Sequence, residues 1–135
     1  MIFVDTVELR HIETWLKDGD AKVCKCKVTF GNNMWSISEW YTNSAYQHQG
    51  LGVKTLRHTL KKLYEMFGAP GEIRYIWNGD HEYVFNWLQN NFSPVSLLPI
   101  SVQKYSDADD WSAHIYILDK AKVFKFFRLE EDEEE

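Results

Sequence analysis

The stretch YTNSAYQHQGLGVKTLRH, residues 41–58, runs from a polar segment through Gly50 and Gly52 into an amphipathic run. From Gly50 to Phe67 the apolar residues Val53, Leu56, Leu60, Leu63, Tyr64 and Phe67 recur at steps of three and four, and Gly68 and Pro70 end the pattern. That spacing predicts one helix over 50–67. A helix start carries N–H groups without carbonyl partners and an effective charge of about +0.5, and glycine lets a ligand approach such backbone closely. QHQGLGVKT is therefore a candidate phosphate cradle. The competing reading is an ordinary strand-to-helix turn in which Gly52 serves packing alone. Spacing excludes two familiar phosphate motifs. Val53 interrupts the Walker succession between Gly52 and Lys54, and Thr55 stands where a dinucleotide fingerprint needs its third glycine.

Upstream of this stretch, residues 10–16 and 21–30 flank Asp18-Gly19, which supplies the positive-φ positions of a tight turn, so a hairpin is expected. Cys24, Cys26, Val28 and Phe30 fall on one face of the second strand, with Lys25, Lys27 and Thr29 on the other, the alternation of a half-buried strand. The turn 31–33 leads into a further strand, 34–42. Asp5 and Glu8 have capping-box spacing ahead of Leu9, Ile12 and Leu16, which offers a rival helix over 6–17; the strand reading is preferred. Downstream lie an apolar strand over 73–77, a second helix over about 80–90 with Val84, Trp87 and Leu88 inward, and strands over 95–104 and 112–118. Residues 119–129 fit no single pattern. The order of elements implies a mixed sheet covered by helices, an α+β domain.

A chain of 135 residues, 44% hydrophobic and 16% aromatic with 7 Gly and 3 Pro, has the make-up of one globular domain, expected over 1–129. The formal charge of −5 comes from the run Glu130 to Glu135, which carries six negative charges and leaves about +1 on the remainder. Residues 130–135 are read as a solvated, disordered tail, and the balance argues against nucleic acid as the main ligand. No apolar run reaches the roughly 18 residues of a membrane span, and no secretory signal is visible, so a cytoplasmic protein is expected. Cys24 and Cys26 share a strand face without a matching His or Cys pair, which points to buried thiols and to no metal.

Gln47-x-x-Gly50-x-Gly52 resembles the Gln/Arg-x-x-Gly-x-Gly/Ala signature of the GNAT acyltransferase superfamily, placed as in that family after a strand and at the start of a long helix. Tyr46 matches a frequent aromatic before the signature, and Thr42 stands where the family's fourth strand usually ends in valine. The block IRYIWNGDHEYVFNWLQNNF resembles the next strand and helix, with Asn91-Phe92 in place of a closing Gly-Phe. The resemblance implies a twisted, mostly antiparallel sheet with one splayed strand pair. It implies acetyl-CoA as cosubstrate, its pyrophosphate held by amides in the segment Gln47, His48, Gln49, Gly50, Leu51, Gly52 and Val53. The pantetheine arm would pair with Trp40, Tyr41 and Thr42, and Asn78 and Trp87 would line the same cleft.

The implied activity is direct transfer of the acetyl group to an amine. Such a transfer needs a base for the amine and an acid for the thiolate. Glu39 is the expected base. The family's usual tyrosine acid falls on Trp87, which cannot serve as this acid, so Tyr83, one turn earlier, or solvent is expected to replace it. Only 33 residues precede Met34, fewer than the family spends there on two helices that wall the acceptor site. That site is expected to be open or completed by another chain, as in a homodimer. The alternative is a non-catalytic, coenzyme A-binding or partner-binding protein of the same fold.

Overall fold

The computed structural model describes residues 1–77, 87–88, 90–92, 96–103 and 110–131, with side chains for all of these except 77, 96–103 and 110–114. Seven strands form one sheet: β1 (Ile2–Val7), β2 (His11–Asp18), β3 (Ala21–Gly31), β4 (Met34–Thr42), β5 (Glu72–Trp77), β6 (Ser96–Gln103) and β7 (Asp110–Leu118). Their spatial order is β1-β2-β3-β4-β5-β7-β6. Every neighbouring pair is antiparallel except β4 and β5, which run parallel because helix α1 (Leu51–Phe67) carries the chain back between them. Residues 87–88 and 90–92 are helical, two residues beyond the expected end of the second helix. The ambiguous segment 119–129 contains helix α2 (Lys120–Phe127), started by the Asp119 carboxylate accepting from Lys122 N–H at 3.2 Å.

The rival helix over 6–17 does not form. Asp5 is not a cap; it lies on edge strand β1, accepts the Thr14 hydroxyl at 2.7 Å and bonds His58 Nε2 of α1 at 2.9 Å. Phe3 stacks on the same imidazole, so β1 is fastened to both the sheet and α1. Burial of period two continues through β2, where Ile12, Thr14 and Leu16 face inward. The connection from β1 to β2 is only residues 8–10, so no helices stand between them.

One sheet face carries the core. Leu56, Leu60 and Leu63 of α1 are fully buried against Ile12, Cys26, Val28, Trp35 and Ile37, and α2 adds Val123, Phe124 and Phe127. The buried hydroxyls of Thr55 and Thr59 bond back to Leu51 and Thr55 carbonyls, at 2.8 and 2.9 Å, so α1 buries no unpaired oxygen there. Both cysteines are free and buried, and burial pushes the Cys26 thiol up to about 12. Lys61 of α1 donates to the carbonyls of Leu129 and Glu131, and Arg57 to that of Phe127, which ties the first acidic residues to the domain. The rest of the acidic run, 132–135, lies outside the described residues.

Candidate functional site at the opened end of the sheet

Strand β4 changes character at Ser38. Val28 of β3 pairs with Ile37 and Lys27 with Glu39, so Ser38 is an extra residue in a bulge; its hydroxyl donates to the Lys27 carbonyl at 3.2 Å. Inward residues are Trp35 and Ile37 before the bulge and Trp40 after it. The parallel ladder with β5 also ends there, at Ile37 and Tyr75, while β4 continues to Thr42. The expected splay is present.

Asn43 N–H donates to the Val23 carbonyl at 2.7 Å. By the alternation of an antiparallel pair, the main-chain groups of Thr42 and Trp40 then point away from β3, toward the side that β5 has left. Gln47 Nε2 occupies the Thr42 carbonyl at 3.1 Å. What the strand still offers a ligand is Thr42 N–H and both main-chain groups of Trp40.

The loop follows through a 3-10 turn, Ser44–Tyr46, capped by the Asn43 side chain accepting from Ala45 N–H at 3.0 Å. His48 (φ 67°) and Gly50 (φ 75°) are left-handed and Gln49 between them is not, an alternation that turns successive N–H groups to one side as a concave nest. The first helical bond runs from Lys54 N–H to the Gly50 carbonyl at 3.1 Å. Among the described residues no carbonyl takes the amides from His48 to Val53.

The two glycines act differently. A Cβ on Gly50 would meet nothing within 4 Å, so its left-handed backbone is what requires glycine. A Cβ on Gly52 would come within 2.8 Å of Thr42 Oγ1, whose other neighbour is Cys24 Sγ at 3.3 Å. Gly52 thus lets α1 close on β4, and Trp40 Nε1 seals that contact by donating to the Gly52 carbonyl at 2.8 Å. Packing requires glycine at position 52, and the left-handed turn requires it at position 50.

A cavity of about 610 Å³, within the size range of small-molecule sites, opens between these elements. Trp40, Tyr41 and Thr42 line it from the strand, and Gln47, His48 and Gly50 from the loop. Leu51, Gly52 and Val53 line it from the helix start, and Trp87 closes it opposite. Trp87 meets Trp40, Phe92 and Phe126 edge-on at 5.3–5.5 Å, so it is a wall of the cleft. Tyr46 also lines the cavity, a role not assigned from the sequence. Gln49 does not line it. Asn78 and Tyr83 lie outside the described residues.

Glu39 lies outside the cavity lining, because the bulge puts it on the sheet face opposite α1. There Lys25 Nζ reaches its carboxylate at 2.7 Å, Lys27 stands at 3.8 Å, and Lys25 also approaches Glu13 at 3.5 Å. Burial alone would lower the Lys25 ammonium, but the hydrogen bond and charge of Glu39, with Glu13 and Tyr41, outweigh it and hold it above the usual lysine value. Burial likewise works to raise Glu13, and the Trp15 indole N–H at 2.9 Å and the charge of Lys25 bring it below its usual value. Trp15 packs edge-on to Tyr41, with Lys22 over its ring at 4.7 Å. This clasp on the reverse face was not legible in the sequence; the Lys25/Lys27 alternation was its only trace.

Among the described residues no group of three His, Cys, Asp or Glu could hold a metal, and no helix is long and apolar enough to cross a membrane. No protein-family model matches the sequence, and no curated protein matches it significantly. Solved structures do match. The PaiA N-acetyltransferase of Thermoplasma acidophilum, in complex with coenzyme A, superposes with a TM-score of 0.53 at 14% identity, over 78% of this chain and 60% of that one. The IAA acetyltransferase of Bacillus cereus gives 0.58 at 13%, over 81% and 77%. A GNAT family acetyltransferase of Elizabethkingia anophelis with acetyl-CoA bound gives 0.55 at 11%, over 81% and 74%. The chain has the GNAT N-acetyltransferase fold and spans about 60% of the length of the Thermoplasma protein.

Proposed function

We propose that this protein is an N-acetyltransferase that uses acetyl-CoA to acetylate an amine directly. The observation that carries this reading is the junction of an opened β4 with a helix start whose amides are free, both lining one cavity. The residues present fit the cosubstrate: the nest at 48–53 suits a pyrophosphate, and the outward main chain of Trp40 and Thr42 suits an extended amide-bearing arm. Bound there, acetyl-CoA would supply a thioester open to attack by an amine. Trp87 and Trp40 would exclude water from the arm. Glu39, two residues past the last β5 pair, would hold the proton released by an amine arriving from the face opposite α1, and Tyr83 would protonate the leaving sulfur. That face would stay open to the acceptor or be walled by a second copy, and the setting would be the cytoplasm.

Titration calorimetry with coenzyme A, ATP and NAD tests the cleft, with binding of coenzyme A alone as the expected outcome. Thioester turnover over a panel of amines tests the chemistry. Glu39→Gln should lower that turnover by about 10²-fold at neutral pH, less as pH rises and free amine accumulates. A specific observation favours a non-catalytic second reading: the Glu39 carboxylate is already neutralised by Lys25. Coenzyme A binding with no turnover for any amine would select it.

A further inference from the structure

We infer that β1 is a pairing edge for a second copy of this chain, the two copies joining β1 to β1 antiparallel about a twofold axis at Val4. The inference stands on the sheet alone and does not depend on the coenzyme A reading of the cleft. β1 is the outermost strand beside β2, and among the described residues no strand pairs with its other side. Where β1 and β2 meet, Glu8 N–H donates to the His11 carbonyl at 2.8 Å. By the alternation of an antiparallel pair, Ile2, Val4 and Thr6 then turn their main-chain groups to β2, and Phe3, Asp5 and Val7 turn theirs outward. Proteins usually blunt such an edge with lysine, proline or a bulge. The opposite edge, β6, carries Pro99, which has no N–H to offer. β1 has no proline and no lysine, and its register with β2 is unbroken. Its one charge, Asp5, is turned toward α1 and held there by Thr14 and His58.

The strand is complementary to itself, and that selects the occupant. Antiparallel pairing about Val4 sets Phe3 against Asp5 of the other copy and Asp5 against its Phe3, so that residues with outward main-chain groups exchange both of their bonds. Acid does not oppose acid in this register, whereas an axis at Asp5 would set the two carboxylates directly across from each other. On the reverse face Val4 meets Val4, and the row runs on to Trp15 on either side, because Val4 pairs with Trp15 within each copy. The pairing covers apolar side chains that the single copy leaves in water, Ile2 at 63% and Val4 at 37% exposure. α1 packs chiefly on β2, β3 and β4, set back from this edge. Because the axis uses the same edge of both copies, the assembly closes at two.

Analytical ultracentrifugation of the full chain over rising concentration tests this. The mass of the parent should climb from 16.0 kDa toward twice that value and no further. Val4→Lys sets two ammonium groups against each other across the axis and should hold the mass at 16.0 kDa. Val4→Cys gives a second readout. Directly opposed residues of this kind stand about 4.5 Å apart at Cα, within the reach of a disulfide, so mild oxidation should yield a covalent dimer that a reducing agent dissolves. Thr6→Cys, opposed by Ile2 and about 13 Å along the strand from its own counterpart, should not cross-link. Cys24 and Cys26 are buried, so the cross-link reports the introduced thiol. Equal cross-linking of the two cysteine variants, a Val4→Lys dimer as tight as the parent's, or growth beyond two copies overturns the inference. A parent that stays at 16.0 kDa at every concentration also overturns it, and leaves the edge to a strand of a different chain.

Discussion

The two halves of β4 are one strand with two different fates. Residues 34–37 are paired on both sides, with β3 and β5, and send Trp35 and Ile37 into the core. Residues 39–42 are paired with β3 alone, and their free edge becomes the wall of a cavity. One inserted residue, Ser38, separates the two. A bulge at a parallel junction thus frees main-chain groups from sheet-building and turns them toward a cavity without ending the strand. The sealed half should answer to mutation in stability, the opened half in binding.

The largest difference is expected between Ile37→Ala and Thr42→Ala. Ile37 is 1% exposed, and truncating such a side chain costs about 2–5 kcal/mol by lost transfer energy and the cavity left behind. Thr42→Ala removes a hydroxyl at the cavity wall and should cost at most about 1 kcal/mol. Urea denaturation of both variants measures this, and equal costs would mean that the opened half is as integral to the core as the sealed one.

Next in size is Gly52→Ala. The added methyl would sit 2.8 Å from Thr42 Oγ1, so α1 must shift or Thr42 must leave its bond to Cys24, a strain of about 1–3 kcal/mol. Removing the obstacle should restore most of it: the Gly52→Ala, Thr42→Ala double variant should be more stable than additivity allows. Additive costs would place the strain elsewhere. Gly50→Val sharpens the comparison from the other side, since nothing crowds its Cβ. The fold should persist while the strained backbone disturbs the nest, with coenzyme A affinity falling at least tenfold, about 1.4 kcal/mol. Unchanged affinity in a folded variant would remove the nest from the binding site.

Much of this architecture is visible in the chain because its devices are local. The step pattern from Val53 to Phe67 and the stop at Gly68 read directly as α1, and Gln47, Gly50 and Gly52 stand at the junction where the cavity opens. What stayed hidden depends on partners distant in sequence. Asp5 has the spacing of a helix cap, and only its pairing with Thr14 and His58, 9 and 53 residues away, makes β1 a strand. The bulge at Ser38 leaves no mark in an alternating pattern, so neither the outward turn of Glu39 nor its capture by Lys25 could be anticipated. Residues 119–129 mix aromatic, β-branched and charged residues at no single period, and it is burial of Val123, Phe124 and Phe127 against the core that decides for helix. The expected acid Tyr83 lies outside the described residues.

The smallest expected effect concerns what braces the opened half once β5 has left it. On the reverse face Lys25 links Glu39 of β4 to Glu13 of β2, and its ammonium stands over the ring of Trp15 at 5.3 Å, which packs on Tyr41. Lys25→Met keeps the stem and removes the charge, and because Glu39 is substantially exposed the loss at pH 7 should be only about 0.5–1 kcal/mol. Its pH dependence identifies the clasp. Glu13 titrates below its ordinary 4.5 in the folded protein, so its share of stability is present above that value and is lost as pH falls through the lowered one. Lys25 titrates above its ordinary 10.5, so its share is present below that value and is lost only as pH rises through the raised one. Between about pH 5 and 10 both shares are intact. Denaturation of the parent and of Lys25→Met from pH 7 down to pH 3 should therefore show the gap between them narrowing below 4.5, as Glu13 protonates and leaves Lys25 without that partner. A gap that stays constant across the whole range would mean that the Lys25 ammonium acts through the ring of Trp15 and not through the carboxylates.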